Sequence, residues 1–495
     1  MTSTNSSTKF FRMLKTVFCR NAVLATVFQI LTAVFAFYIS SPYLSRALFG
    51  EARETDTVFV ADWMYLCYGH LCIAFGFLFA AVLFRELYGK RASDFLFSMP
   101  VKRSVYFNAN VFFGLINFVI SFSVSAGIVY AAYSSSESFD FAYFIKIMAV
   151  LLLCVSAVFL VFAFCAAASG KLWHYLLLAF IITVIITLGA LSAAIYINNS
   201  VWGLRFKVGY AWSVAPFGLF YRGMTGRAQF LPARAILLFI QAAAAYAAGL
   251  AVFKRRKAET AEDKVSGKAV PAVFIIICIL SEILFCLCLS EIGFSLRIAV
   301  AAAVSLVTAV VLSAVFYRKV LGKGAVCGLG TALLVSAVFI GAVEFVLPEK
   351  YSTVVPKPEE VKSAVVYSNG TSGITSIQKE LYSSFSVDIP KILFDRPPSV
   401  YNLFEGNGED TQYAYTFAQE DSKEKLFALH SRLASEELRK KACQKDHYEN
   451  GYNSLKIEYE LKNGKKITRF FSWGSDDAFS EYAALLKTEE GLNRI

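Results

Sequence analysis

Charge is scarce in this 495-residue chain, with Asp, Glu, Lys and Arg together making up 17%. A soluble domain of ordinary composition carries about 25%, so a water-wrapped globule of this length is excluded. Histidine is almost missing, at His70, His174, His430 and His447 only, and no His-Glu-x-x-His occurs, which excludes a zinc protease of that kind. Cys67, His70 and Cys72 are close in sequence, yet on a helix Cys72 points well away from the other two, and no metal site is expected. Ser169 and His174 have no carboxylate nearby to orient the imidazole, so they make no nucleophile pair. The chain also lacks Gly-x-x-x-x-Gly-Lys-Ser/Thr, the loop with which a nucleotide hydrolase cradles phosphates. Ten cysteines give no disulfide framework, since eight lie in apolar runs, Cys19 stands at the entry to the first run and Cys443 is alone in the tail. There is no internal repeat and no low-complexity tract.

What the chain has instead is apolar length: 57% of its residues are hydrophobic and the mean hydropathy is +0.54. A helix needs about 20 apolar residues to cross a bilayer core. Nine runs qualify, at 21–40, 62–84, 105–131, 143–168, 173–197, 234–253, 271–291, 296–316 and 325–346. The expected fold class is a polytopic α-helical membrane protein of about nine transmembrane helices, followed by an α+β domain. Lys9, Arg12, Lys15 and Arg20 precede a first run too long for a signal-peptide core, so it reads as an uncleaved span.

The remaining charges are sorted by connector. Lys and Arg concentrate in 1–20, 85–103, 170–172, 254–268 and 317–323, whereas 41–61, 132–142 and 292–295 are acidic or neutral. Basic connectors stay in the cytoplasm. The amino terminus is therefore expected inside a plasma membrane and the tail, 347–495, outside it. Residues 1–346 hold 28 basic and 14 acidic residues, against 20 and 23 from Leu347 onward. Cations flanking apolar spans account for the high pI, and no nucleic-acid partner is expected. Connector 198–233 breaks the pattern, since it mixes Arg205, Lys207, Arg222 and Arg227 with Trp202, Trp212, Phe217, Phe220 and Tyr221. That mixture suits a re-entrant or interfacial element.

The tail carries a hairpin signal. Leu455–Leu461 alternates apolar and polar, Asn463-Gly464 accepts the positive φ of a type I′ turn, and Lys466–Phe471 returns. Residues 422–441 read as an amphipathic helix with Leu426, Leu429 and Leu433 on one face, and a second helix is expected after Ser475.

The connector 84–104 is short, amphipathic and basic. Taken as one helix over 84–103, it places Phe84, Tyr88, Ala92, Phe95 and Met99 on an apolar face and Glu86, Lys90, Ser93 and Asp94 opposite. Pro100 stops the helix at Met99, and Lys102 and Arg103 reach toward phospholipid head groups. Phe97 then projects from the polar side, as a plug for a partner's groove.

At this point the chain resembles a known family. Arg85-Glu-Leu-Tyr-Gly-Lys-Arg-Ala-Ser-Asp94, followed by Phe97-Ser-Met-Pro-Val-Lys-Arg103, is similar to the coupling segment of ABC type-2 permeases of Gram-positive bacteria, with Met99 where a Leu is usual. Phe253-Lys-Arg-Arg-Lys-Ala-Glu259 resembles the basic exit from their sixth span. The resemblance implies that Arg85, Tyr88, Lys90, Arg91, Asp94, Phe97, Met99, Pro100, Lys102 and Arg103 couple the spans to an ATPase. It also implies an amino-terminal interfacial helix, supplied by Lys9–Phe18, and a re-entrant element within 198–233. The ATP and Mg would sit on a separate cytoplasmic ATPase subunit, with no cofactor on this chain. A second permease copy or paralogue would match the two ATPases. On this reading 1–260 is a six-span permease core, 261–346 adds three spans, and 347–495 is an extracytoplasmic domain found in a subfamily.

Glu282 lies mid-span in the seventh run and is a candidate contact for substrate or proton, or else a neutral hydrogen-bonded carboxyl. Glu344 lies near the outer end of the ninth, and Glu291 and Arg297 flank a tight external turn as an interfacial pair. Two rival functions stand beside the transporter subunit. One is a membrane-anchored sensor whose external domain binds a ligand. The other is a membrane enzyme, which the missing catalytic constellation disfavours. The chain itself is expected to be non-catalytic.

Overall fold

The computed structural model describes residues 6–40, 64–133, 139–201, 204, 232–257, 265, 269–288, 294–317, 319, 322–347, 355–368, 413–417, 420–433 and 453–473. Among them, eight helices are long and apolar enough to cross a membrane, and the chain is a multi-pass helical membrane protein. Helix α1 spans Ser6–Ser40, with a kink at Asn21 (φ −112°, ψ 17°) that separates a basic amino-terminal segment from the apolar remainder. The described part of the second expected span is a π-helical turn at Met64–Tyr68 that continues directly into α2, Gly69–Leu83. A 3-10 turn, Arg85–Leu87, and the short helix α3, Lys90–Ser98, lead to α4, Arg103–Tyr133. Next come α5 (Phe141–Ala168), α6 (Leu172–Phe180), a π-turn at Ile181–Ile185 and α7 (Ile186–Ser200). Helices α8 (Pro232–Arg255), α9 (Ala269–Leu287), α10 (Phe294–Tyr317) and α11 (Lys323–Gly341) complete the set. The unusual connector 198–233 falls almost wholly outside the described residues.

Two compact units divide the chain, Met1–Ser192 with Gly209–Leu334, and Ala193–Val208 with Val335–Ile495. In the first, α5 is the most enclosed helix, with 67% of its most apolar window buried. Asp140 starts it by accepting a hydrogen bond from the Tyr143 amide at 3.0 Å. Helices α2, α4 and α8 pack around it. Lipid tails are as apolar as leucine, so such packing depends on close fit rather than on leaving water. Gly249 supplies part of that fit, because a Cβ there would stand 3.3 Å from the Phe164 backbone of α5. Gly189 of α7 does the same against Ser281 of α9, whose Cα would lie 3.0 Å away.

In the second unit, four antiparallel strands take the order β2-β1-β3-β4: β1 Val361–Ser368, β2 Tyr413–Phe417, β3 Asn453–Leu461 and β4 Lys466–Trp473. The β3–β4 hairpin forms at the expected place, with a different turn. Leu461 donates to the Lys465 carbonyl and accepts from the Gly464 amide, both at 2.9 Å, and Gly464 has φ 80°. This is a three-residue loop closed by a glycine bulge rather than a two-residue type I′ turn. Ile457, Tyr459 and Leu461 alternate inward as their spacing predicts. Helix α12, Glu420–Leu433, buries Leu426, Leu429 and His430, and the helix expected after Ser475 lies outside the described residues.

His430 and the Tyr459 hydroxyl are hydrogen bonded at 2.8 Å, the two rings stack, and Phe427 stacks on the same tyrosine. Burial, reinforced by the neighbouring Arg469 cation, lowers the His430 pKa to about 4. An unfolded histidine titrates near 6.5, so the folded state binds its proton less readily. Stability is full above that value and is lost as pH falls toward 4. We expect the opening free energy of residues 453–473 in the full chain to drop by about 3 kcal/mol between pH 7 and pH 4. Hydrogen exchange corrected for intrinsic rates measures it, and His430→Gln should flatten the dependence.

Candidate coupling surface at the basic end of the bundle

Described parts of three basic connectors, at Arg20, 85–103 and 254–256, meet at one end of the first unit, where three helices finish. A helix leaves its last four carbonyls without intrahelical donors and carries partial negative charge there. An arginine from elsewhere in the chain meets each of these ends. Arg20 of α1 reaches the Leu83 carbonyl at the end of α2 at 3.4 Å and pairs with Glu86, which also accepts from the Tyr106 hydroxyl. Arg103, at the start of α4, donates to the carbonyls of Lys254 (2.9 Å) and Arg256 (2.5 Å) at the end of α8. Arg256 itself is fully buried and donates to Ala167 and Ser169 at the end of α5, both at 2.7 Å, and to Leu87 at 2.8 Å.

Burial lowers the Arg256 pKa to about 10, which leaves it charged at neutral pH. Beside it, burial raises the Tyr88 hydroxyl well above its usual range, an effect the Arg256 cation partly offsets. Phe253, one turn before Arg256, is the centre of an aromatic cluster. Its ring lies parallel to Tyr106 at 5.7 Å and touches Phe84, Phe97 and Phe107. The two stretches that carry the family resemblance, 85–103 and the described part of 253–259, are therefore neighbours in space.

The expected single helix over 84–103 is not present. Gly89 is extended (φ −112°, ψ 132°) and a new helix begins at Lys90, so the helical phase does not carry over from Phe84. Ser93, Phe95 and Phe97 consequently depart from their expected sides, while Phe84 stays buried and Lys90 and Asp94 stay exposed. Ser93 and Leu96 point inward, and Arg91, Asp94, Phe95 and Ser98 form an exposed stripe at spacings of three, one and three. Phe95 is 69% exposed, although its spacing from Phe84 placed it on the inner face. Phe97, expected to project, is half-buried with its ring 6.1 Å from Phe253 and the Arg103 guanidinium 4.5 Å above it.

The other expected residues are distributed as follows. Arg85, Lys90, Pro100 and Lys102 are exposed, while Tyr88 sits against Tyr175 and Arg256. Met99 is extended and ends α3 as Pro100 requires, lining a cleft with Leu96, Phe97 and Arg103. The amino-terminal segment before the Asn21 kink is helical, and Phe10 and Phe18 touch Phe112 and Phe113 of α4. Arg20, Glu86, Tyr106 and Arg256 were not among the residues expected to couple the spans to a partner. In the sequence Arg256 looks like Lys254 and Arg255, which are exposed, and only the fold separates it from them.

Glu282, distant from this end, accepts a hydrogen bond from Thr308 of α10 at 2.8 Å, and its second oxygen is buried without a partner among the described residues. In the second unit Tyr196 donates to Glu344 at 2.6 Å. Glu291 lies outside the described residues, and Arg297 donates to the Leu287 carbonyl at 3.0 Å.

Comparison with protein-family models, with curated proteins and with solved structures finds no match.

The observed sides of Phe95 and Phe97 make a clear expectation. Phe97→Ala removes packing from the Phe253 cluster and should cost about 1–3 kcal/mol, less than the 3–5 of a fully buried phenylalanine. Phe95→Ala should leave the thermal midpoint of the detergent-solubilised chain unchanged.

Proposed function

We propose that this chain is the membrane-spanning permease subunit of an ATP-binding-cassette transporter, with ATP hydrolysed by a separate cytoplasmic subunit. One observation carries the reading: α3 is a short helix fixed at both flanks on the basic end of the bundle, with an exposed stripe of Arg91, Asp94, Phe95 and Ser98. An aromatic ring set between charged groups on a surface helix suits insertion into a partner's groove. Closure of two ATPases would move α3, and the spans would respond by rigid-body displacement between alternating states. The positive-inside rule sets the basic end in the cytoplasm, with the tail outside. A membrane-impermeant thiol reagent added to intact cells should therefore label Cys443 and leave Ser266→Cys unlabelled; the reverse pattern would invert the orientation.

Burying a phenylalanine ring is worth about 1.5–3 kcal/mol. The double variant Phe95→Ala, Asp94→Ala should then weaken ATPase association about tenfold or more, with the permease still inserted. Co-purification from native membranes, with ATP hydrolysis of the isolated complex, measures it. Undiminished association of the double variant, or no ATPase with the wild type, would overturn the reading.

A further inference from the structure

We propose that Arg256 is the positioning residue through which displacement of α3 reaches α5 and α8, an inference that rests on the transporter reading. The connector holding α3 has two breaks in helical geometry, at Gly89 and at Met99–Pro100, so α3 is a rigid piece between two joints. Both flanks return to one residue. Ahead of α3, the Leu87 carbonyl accepts from Nη2 of Arg256, and behind it Arg103 donates to the Arg256 carbonyl. The other arm of the same guanidinium, Nη1, holds Ala167 and Ser169 at the end of α5. Arg256 directly follows the last residue of α8, so its main chain moves with that helix.

The side chain's chemistry suits this task. A guanidinium is planar, and its donors point in fixed directions, so one fork can hold two separate segments in register. No carboxylate contacts Arg256 among the described residues; its charge is balanced by carbonyl oxygens, including those at the negative end of the α5 dipole. If the displacement of α3 carried its Leu87 flank along while α5 stayed, this buried cation would lose a hydrogen bond with no water to replace it. Moving α3, α5 and α8 together keeps all four bonds. A lysine retains the charge, but its ammonium is a point donor without the fork.

The test uses the full chain in lipid nanodiscs and follows hydrogen exchange in residues 86–103 and 165–172. In Arg256→Gln both segments should exchange at least tenfold faster, and together; Arg256→Lys should fall between it and wild type. Loosening of one segment alone would make Arg256 a local helix cap and overturn the proposal. The second arm adds the co-purifying ATPase and a non-hydrolysable ATP analogue. In the wild type the nucleotide should alter exchange in both segments. In the Arg256 variants it should alter 86–103 only, with the ATPase still bound. A nucleotide response at 165–172 that persists in Arg256→Gln overturns the proposal alone, whereas no response anywhere in the wild type overturns the transporter reading beneath it. Should Arg256→Gln fail to insert, Arg103→Lys, which loosens the other flank, carries the same comparison beside Arg256→Lys.

Discussion

The basic end of this bundle depends on one constraint, the unsatisfied carbonyl oxygens where α2, α5 and α8 stop. At the edge of a membrane these groups cannot all rely on water, and leaving one buried and bare is costly. Arg20, Arg103 and Arg256 meet that demand, each from a segment other than the helix it caps. The caps therefore also tie segments together, from α1 to α2, from α4 to α8, and from the exit of α8 to α5. Cations of the basic connectors thus act as structural donors.

Within that frame α3 is held without being buried. Its inner side contributes Ser93 and Leu96 to the bundle, and Phe97 joins the Phe253 cluster. Its outer side stays open. A helix of nine residues has little stability of its own, so its position is set by its anchors. Such an element keeps one face open while its anchors fix the other.

The carboxyl groups at membrane depth are handled differently from the cations. Glu282 and Glu344 each take a hydrogen bond from a hydroxyl on another helix, Thr308 and Tyr196, rather than the arginine that Glu86 meets at the basic end. A hydroxyl partner can serve a neutral carboxyl as well as an ionised one, which lowers the cost of placing the group in hydrocarbon. In the tail, the same avoidance of buried charge keeps His430 neutral against Tyr459.

The sequence by itself determined the class of the protein, because the length of each apolar run answers directly to bilayer thickness and needs no tertiary contact. Eight of the nine runs are helices of spanning length, and the described part of 62–84 is also helical, with a π-turn at Met64–Tyr68 leading straight into Gly69–Leu83. The β3–β4 hairpin was legible from alternation, while its turn was not, since hydrogen bonds to Leu461 rather than the Asn-Gly pair alone set the loop length. Periodicity failed in part at α3 for a related reason: one extended residue, Gly89, resets the helical phase, and Ser93, Phe95 and Phe97 took sides other than those assigned from Phe84. Arg256 was invisible among its basic neighbours. Its role depends on carbonyls 87 to 169 residues away in sequence, and only the fold brings those to one guanidinium.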